Sequence, residues 1–344
     1  MEKMAGNPSI IKEVNENFIK DTIRVYPMIT KPQLARQIGL SLATVNKVVE
    51  RLVDSGEVRC IGYSDSTGGR RAKCYKLNEN YESILTIFIQ AGKYHVSILN
   101  MNGKTIEDAI YDHGDSDWTQ ELYQVIDKGF AMAGAQKVSS IGIAVPGTVH
   151  SGEISNIPTV PQWEGFDMKS DLFNRYGIPI VIENDTNAAT IGIHNEANAH
   201  NMLFLHMKKG IGAGVVIQDK LYKGRHNFAG ELAYMKITAD QSSDATLEMV
   251  VSELAKRGDI QAVIEIVAQL LINVTCVIEP DLVVIDSSYL SKDDDVNIKQ
   301  AVSRRIANEY IPKIVVRPVE DALYIKGIFV LCMNKTQNSV QLYY

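Results

Sequence analysis

Acidic and amide side chains that follow a predicted buried strand suggest a ligand site. The apolar stretch 178–182 leads into Glu183, Asn184 and Asp185, after which a helix is predicted. Polar groups beyond the carboxyl end of a strand lie where α/β folds bind ligands, and a carboxylate there can take a proton or a hydrogen bond from a hydroxyl. Asn184 and Asp185 are also common helix caps, and on this segment alone capping is the simpler interpretation.

Two further segments carry acids in a chemically suggestive setting. In residues 208–234, Gly210, Gly212 and Gly214 would let a backbone approach a ligand closely, and Gly230 places Glu231 at a turn. Alternating glycines also mark a tight hairpin, which needs no ligand. Glu248 lies on the predicted helix of residues 245–257 and, taken alone, is an ordinary solvent-facing glutamate.

The N-terminal segment has the pattern of a winged helix-turn-helix. Apolar residues recur at helical spacing over 10–26, Thr30 and Ser41 are placed to cap two further helices, and Gly39 and Gly56 to end them. Strands predicted at 58–63 and 74–77 enclose the basic loop STGGRRAK, residues 66–73. The pattern predicts a DNA-binding head; a winged helix used for protein contacts is the alternative.

Two sets of residues in this head are predicted to contact DNA. Those on or flanking the outer face of the third helix suit base edges or phosphates in the major groove, and the basic residues of the wing suit the narrow minor groove. The helix set is Ala43, Thr44, Asn46, Lys47 and Arg51, and the wing set is Arg70, Arg71 and Lys73.

Charge is divided unevenly along the chain. The 344 residues carry a net charge of −6, but residues 1–77 carry +5 and the remainder −11. A basic head on an acidic body will hold DNA through the head alone, and its affinity should fall steeply with salt.

Composition predicts a globular, cytoplasmic protein. Hydrophobic residues make up 45% of the chain, we find no apolar run of membrane-spanning length, and the N-terminus has no signal-peptide pattern. The four cysteines have no metal-ligand spacing, so neither a metal nor a disulfide framework is expected.

After Leu77 the pattern becomes that of an α/β protein. Strands are predicted at 85–90, 95–100, 140–145, 178–183, 202–207, 212–218 and 282–285, and helices at 118–135, 185–197, 245–257, 260–278 and 298–307. The acidic run at 293–295 is interpreted as a solvent-exposed loop.

Several motifs, in order along nearly the whole chain, resemble the ROK family of sugar-responsive repressors and sugar kinases. They are IGIAVPGTV at 141–149, IENDTNAA at 182–189 and GIGAGVVIQDKLYKGRHNFAGE at 210–231, behind the winged helix with its STGGRR. The resemblance implies a two-lobed actin-like, ribonuclease H-like ATPase-fold body that closes around a sugar. It also implies sugar-hydroxyl ligands at Asn184, Asp185, Glu231 and Glu248, with Asp185 at the position of the kinases' catalytic base.

The sequence departs from the family's kinases on the nucleotide side. Where they have DxGxT, this strand has Phe88 and Gln90 in place of the Asp and Gly; Lys209 replaces a threonine, and Ser287 and Ser288 replace glycines. Tyr234 stands for the histidine of the family's GExGH, and residues 239–248 replace its cysteine-rich zinc motif. We therefore expect no nucleotide cofactor and no metal.

Selective loss of the nucleotide half favours a sensor over an enzyme, because phosphoryl transfer needs the nucleotide to be positioned and neutralised. We expect a transcriptional regulator, a repressor of carbohydrate-use genes, gated by a sugar or a sugar phosphate, with Lys208 or Lys209 pairing the phosphate. An ATP-dependent sugar kinase and a regulator without any ligand are the alternatives.

Three domains and two kinds of partner are expected. The DNA-binding head takes residues 1–77, and the two lobes of the body take 83–188 and 189–344. The partners are a double-stranded operator and the effector, with no membrane. Because one recognition helix reads few bases, we also expect a homodimer or homotetramer.

Overall fold

The computed structural model describes residues 8–65, 71–90, 92–114, 117–208, 210–236 and 244–337. The N-terminal head has three helices and a small sheet of strand order β1-β3-β2. Its elements are α1 (Pro8–Val25), β1 (Ile29–Thr30), α2 (Lys31–Ile38), α3 (Leu42–Asp54), β2 (Val58–Tyr63) and β3 (Lys73–Leu77). Their apolar faces meet in one core that contains Ile19, Leu34, Val49 and Leu52.

The predicted helix boundaries of the head are confirmed. Thr30 and Gln33 form a reciprocal capping box at the start of α2, with the Thr30 N–H donating to Gln33 Oε1 at 2.9 Å. Gly39 follows α2 in the left-handed conformation, with φ of 68°. The Ser41 hydroxyl accepts from the Thr44 N–H and begins α3. The turn between α2 and α3 is therefore fixed by local sequence.

The first lobe of the body is a five-stranded sheet of order β11-β7-β4-β5-β6, with a small sheet of order β10-β9-β8 beside it. Its strands and helices are β4 (Glu82–Gln90), β5 (Lys93–Asn100), β6 (Thr105–Asp112), α4 (Trp118–Ala133), β7 (Lys137–Val145), β8 (Thr148–His150), β9 (Glu153–Ser155), β10 (Phe166–Asp167), α5 (Met168–Tyr176) and β11 (Ile180–Asn184).

The second lobe has a five-stranded sheet of order β14-β13-β12-β15-β16. Its elements, with the helices that flank it, are α6 (Asp185–His194), β12 (Met202–Met207), β13 (Ile211–Ile217), β14 (Lys220–Tyr222), α7 (Leu247–Lys256), α8 (Ile260–Ile278), β15 (Leu282–Ser287), α9 (Asp294–Ser303) and β16 (Lys313–Val316). The last helix, α10 (Asp321–Gln337), returns to pack on α6 and on strands β4 and β7 of the first lobe. The two similar sheets make the two-lobed body that was expected.

Two helices, α6 and α10, cross between the lobes at very short range. A Cβ placed on Gly327 of α10 would lie 1.7 Å from the Ala188 carbonyl oxygen, and one on Gly192 of α6 would lie 2.0 Å from the Leu323 carbonyl oxygen. Only glycine permits this approach. The crossing belongs to a core that joins apolar residues of both sheets, such as Phe88 and Phe204.

Two of the sequence-based expectations are wrong. Residues 293–295 are not a solvent-exposed loop, because helix α9 begins at Asp294 and not at 298. Asp294 is buried, and its carboxylate accepts from the Ser291 N–H and hydroxyl at the helix start. The second wrong expectation is that the chain has no apolar run of membrane-spanning length. Helix α8, with 19 residues and a mean hydropathy of 1.9, is long and apolar enough to cross a membrane. Its apolar residues, among them Val263, Val267 and Leu271, pack in the core of the second lobe.

Candidate functional site

Asn184 and Asp185 lie at the junction of β11 and α6, where the chain passes from the sheet of the first lobe to the first helix of the second. The Asn184 side chain caps α6 by accepting from the Asn187 N–H at 3.0 Å, and its amide donates to the Gly147 carbonyl at 2.9 Å. Asp185 accepts from the Thr186 N–H at 2.6 Å. Burial raises the pKa of the Asp185 carboxyl, and the nearby His206 opposes that rise. The capping interpretation of Asn184 is thus correct, and Asp185 is half-buried at the start of the helix.

Glu231 enters the same cleft from the second lobe. It follows Gly230, whose φ is 95° and where a Cβ would lie 1.8 Å from the Ala213 carbonyl oxygen, so the turn requires glycine. Its carboxylate accepts from the Thr148 hydroxyl of the first lobe at 3.4 Å. Burial raises the pKa of Glu231, and the charge of Asp185 adds to the rise. The two acids therefore share one cleft.

Glu248 reaches this region from the first turn of α7. It is half-buried, and a Cβ on Gly210 would lie 3.8 Å from Glu248 Oε1. Two residues further along the chain, a Cβ on Gly212 would lie 3.6 Å from the Thr186 hydroxyl. The start of β13 thus runs between the start of α6 and Glu248, and Gly214 further along the strand is packed against Thr190, where a Cβ would lie 1.8 Å from the hydroxyl oxygen. Asp185, Glu231 and Glu248 approach this part of β13 from three separate elements.

Sequence reasoning did not assign a role to Glu183 and Lys223. Glu183 is almost fully buried at the end of β11, where it contacts the Lys223 ammonium and accepts from the Asn187 amide at 3.1 Å. Lys223 belongs to the second lobe, and next to it Asn227 donates to the Val149 carbonyl of the first lobe. These contacts join the two lobes next to Asn184 and Asp185. The position of Glu183 directly after an apolar strand was the signal from which the sequence could have indicated its role.

Buried aromatic side chains pack against each other near the end of β4. Phe88 of β4 stacks on Tyr324 of α10 with ring centroids 4.3 Å apart and planes 15° from parallel. Next to them, His95 Nδ1 lies 3.2 Å from Asp321 Oδ2. Phe88 stands where the resemblance places the kinases' aspartate. The stack occupies space at this strand end and offers no ligand for a phosphate or a metal.

A charged cluster lies beside the aromatic stack. Asp286 has no exposed surface, Lys208 Nζ is 2.8 Å from its Oδ2, and His206 Nδ1 is 3.7 Å from the same oxygen. His206 and Asp286 are direct partners in the parallel pairing of β12 with β15. Burial acts to raise the pKa of Asp286, but the two basic side chains hold it below its usual value. Lys208 is therefore engaged by an internal acid; Lys209 lies outside the described residues.

The predicted DNA-binding residues of α3 differ in their exposure and contacts. Ala43 and Lys47 are exposed on α3, and Thr44 and Asn46 are half-buried on it. The Arg51 guanidinium contacts Glu16 of α1, which directs it toward the first helix.

On the wing, Arg71 and Lys73 are exposed, and the Ser64 N–H donates to the Ala72 carbonyl at 2.8 Å to pair the ends of the loop. Arg70 lies outside the described residues. The outer face of α3 and the wing thus carry exposed basic groups, as a DNA-binding surface requires.

The fold and its cleft define a class of protein, a winged helix-turn-helix joined to a two-lobed actin-like kinase-fold body. Comparison with known families agrees. Residues 86–245 match the model of the ROK family, and residues 23–59 match a model of winged helix-turn-helix DNA-binding domains. The chain therefore contains a ROK family domain behind a winged helix-turn-helix domain.

Individual relatives and structures support this assignment. A protein of Caldicellulosiruptor sp. (strain Rt8B.4) is 30% identical over 243 residues, 67% of this chain and 61% of that protein, so the chain spans less than two thirds of its length. The xylose repressor of Caldicellulosiruptor bescii is 25% identical over 278 residues, 74% of this chain and 69% of its own. A crystal structure of a ROK family transcriptional regulator, a homologue of the E. coli MLC protein, covers 94% of this chain and is itself 98% covered, with a TM-score of 0.67 and 18% identity.

Proposed function

We propose that the protein is a sequence-specific DNA-binding transcriptional regulator, a cytoplasmic repressor of carbohydrate-use genes that is gated by a sugar or sugar derivative. The head, residues 1–77, holds the operator. The lobes, residues 83–188 and 189–344, enclose the effector, whose hydroxyls donate to Glu231, Glu248 and Asp185 and bond the Asn184 amide.

One observation carries the proposal: the two halves of the cleft differ in what fills them. On the sugar side, burial raises the pKa values of Asp185 and Glu231, and these two acids lie with Glu248 around the start of β13. Such carboxylates suit a polyol, because each can accept two hydroxyl hydrogen bonds in a desolvated site. On the nucleotide side, the Phe88–Tyr324 stack and the Lys208–Asp286 ion pair take the space and the charge that a triphosphate would need.

We further propose that the protein acts as a homodimer or homotetramer, without a cofactor, a metal or catalytic turnover. A single head offers a few side chains on α3 that could read bases, and the described part of its wing has two exposed cations, Arg71 and Lys73. Two heads on neighbouring half-sites would double this contact set and match a symmetric operator. The names of the repressors among the chain's relatives support a role on DNA.

The test begins with an operator selected from random duplex DNA by the purified protein. Fluorescence anisotropy then measures operator affinity with and without each sugar and sugar phosphate of a panel. We expect at least one of them to change the affinity by about tenfold or more, equivalent to about 1.4 kcal/mol of coupling. Asp185→Asn should abolish the response and leave operator affinity unchanged. Asp108→Asn, a control that alters an exposed acid on β6, should respond like the parent.

Two outcomes would contradict parts of the proposal. Sugar-dependent ATP turnover that is lost in Asp185→Asn would restore the kinase function. Operator binding that no carbohydrate changes, together with a melting temperature that no carbohydrate raises at millimolar concentration, would leave a regulator without a small-molecule effector.

A further inference from the structure

Two exposed aromatic side chains flank the candidate sugar acid Glu231. Phe228 is 55% exposed and Tyr234 is 56% exposed, although both are large apolar residues. Their ring centroids lie 5.6 Å apart with planes 40° from parallel. Together the two rings form a surface, here called the aromatic platform. Exposed aromatic rings that touch each other beside a cleft are typical of a binding surface.

The backbone fixes the platform relative to the cleft. The Glu231 N–H donates to the Phe228 carbonyl and the Tyr234 N–H donates to the Glu231 carbonyl, both at 3.3 Å. These successive turns bring the rings together on either side of the acid along the chain. The segment is held to β13, because the Ala213 N–H donates to the Gly230 carbonyl at 2.8 Å. The Glu231 carboxylate accepts from the Thr148 hydroxyl of the first lobe, while the rings three residues to either side are more than half exposed.

The chemistry of the platform matches a second sugar unit. A pyranose has an apolar C–H face, which packs on an aromatic ring, and hydroxyls at its edge, which need polar partners. Inside the cleft the acids provide the polar partners, and at the mouth the rings provide the apolar face. A single sugar held by Asp185 and Glu231 would leave the platform bare. A glycosidically linked neighbour would cover it.

We infer that the effector is an oligosaccharide of at least two units, one held by the cleft acids and the next stacked on Phe228 and Tyr234. This inference rests on the proposed sugar-sensing function. A second copy of the chain is a weaker candidate, because two half-exposed rings offer roughly 200 Å², against about 800 Å² per partner in a stable interface.

The test compares ligands of increasing length on the full chain. Calorimetric titration measures affinity for xylose, xylobiose and xylotriose, and for glucose, cellobiose and cellotriose. In one of these series the disaccharide should bind at least about tenfold more tightly than its monosaccharide. The double variant Phe228→Ala/Tyr234→Ala should remove that gain and leave the monosaccharide affinity within about twofold of the parent. Phe173→Ala, a control that removes a 53% exposed ring on α5, should keep the gain.

The outcomes separate this inference from the function on which it rests. Equal affinity for mono- and disaccharide in the parent, or an equal loss of both in the double variant, would overturn the oligosaccharide effector while sugar sensing stands. No binding of any sugar by the parent would overturn both. A change from dimer to monomer in the double variant, seen by light scattering, would show that the platform is an interface between copies and would also overturn the inference.

Discussion

Replacement of Lys208 by methionine should destabilise the body strongly, because it leaves a buried carboxylate without its closest cation. Asp286 has no exposed surface, and its carboxylate forms an ion pair with Lys208 Nζ at 2.8 Å, with His206 Nδ1 at 3.7 Å. Among the described residues, no group completes a hydrogen bond to either of its carboxylate oxygens. Removing one partner of a buried ion pair costs about 3–5 kcal/mol. Because Lys208 is one third exposed, we expect a value near the lower end, about 3 kcal/mol. At roughly 2 °C per kcal/mol for a body of this size, the melting temperature should fall by about 6 °C.

The pH dependence of this loss has a definite sign. In the parent, the pKa of Asp286 is held below its usual value, so its contribution to stability is complete above the unfolded pKa and is lost as the pH falls through the folded pKa. In Lys208→Met, burial acts with less opposition and the pKa should rise. The deficit should therefore be largest near neutral pH and shrink as acid protonates Asp286.

Thermal unfolding followed by circular dichroism between pH 5 and pH 8 measures both effects. The matched control is Lys236→Met, because Lys236 and Asp244 lie 3.0 Å apart but are both exposed. Loss of this exposed ion pair should not change the melting temperature. Asp286→Asn combined with Lys208→Met should cost less than the sum of the single changes. A deficit of the same size at every pH, or a Lys208→Met variant as stable as the parent, would refute the assignment of a buried, charge-dependent pair.

Three further changes test other parts of the molecule. Gly327→Ala should prevent close packing of α6 on α10 and cost more than about 3 kcal/mol, since its Cβ would lie 1.7 Å from a backbone oxygen; a melting curve unchanged from the parent would contradict the crossing. Thr30→Ala should lower the stability of the head by about 1 kcal/mol through loss of the capping box, measured by urea unfolding, whereas Thr30→Ser should keep most of it. Arg71→Ala should weaken operator binding and reduce the slope of log affinity against log salt by about 1, and a slope equal to the parent's would remove the wing from the phosphate contacts.

The sequence predicted the elements whose signals are local. The capping of α2 and α3 rests on Thr30, Gly39 and Ser41, and each acts within four residues of its own position. Strand β12 and helix α8 have the predicted bounds, because a short apolar run and a long one are distinct in length. The head was therefore predictable almost element by element.

The missed elements depend on contacts between distant residues. Helix α10 was not predicted, since it packs on α6 and on the sheet of the first lobe and so has no polar face with helical spacing. The Lys208–Asp286 pair joins residues 78 positions apart, and only the register of β12 on β15 places His206 opposite Asp286. The family motifs indicated Asp185, Glu231 and Glu248 as sugar ligands, which stays a prediction, and they placed Phe88 at the kinases' aspartate, but the sequence did not indicate that Phe88 stacks on Tyr324 or that Lys208 pairs with Asp286.

The groups that replace the kinases' residues are a stronger argument against nucleotide binding than the absence of those residues alone. A missing aspartate at Phe88 would leave a gap that water or a cation could occupy, whereas the Phe88–Tyr324 stack closes it. A missing glycine loop would still leave room for phosphate, whereas a buried carboxylate at Asp286 repels it and engages Lys208, the nearest cation. We therefore propose that charge and volume act together against a triphosphate, while Asp185, Glu231 and Glu248 remain available to a polyol.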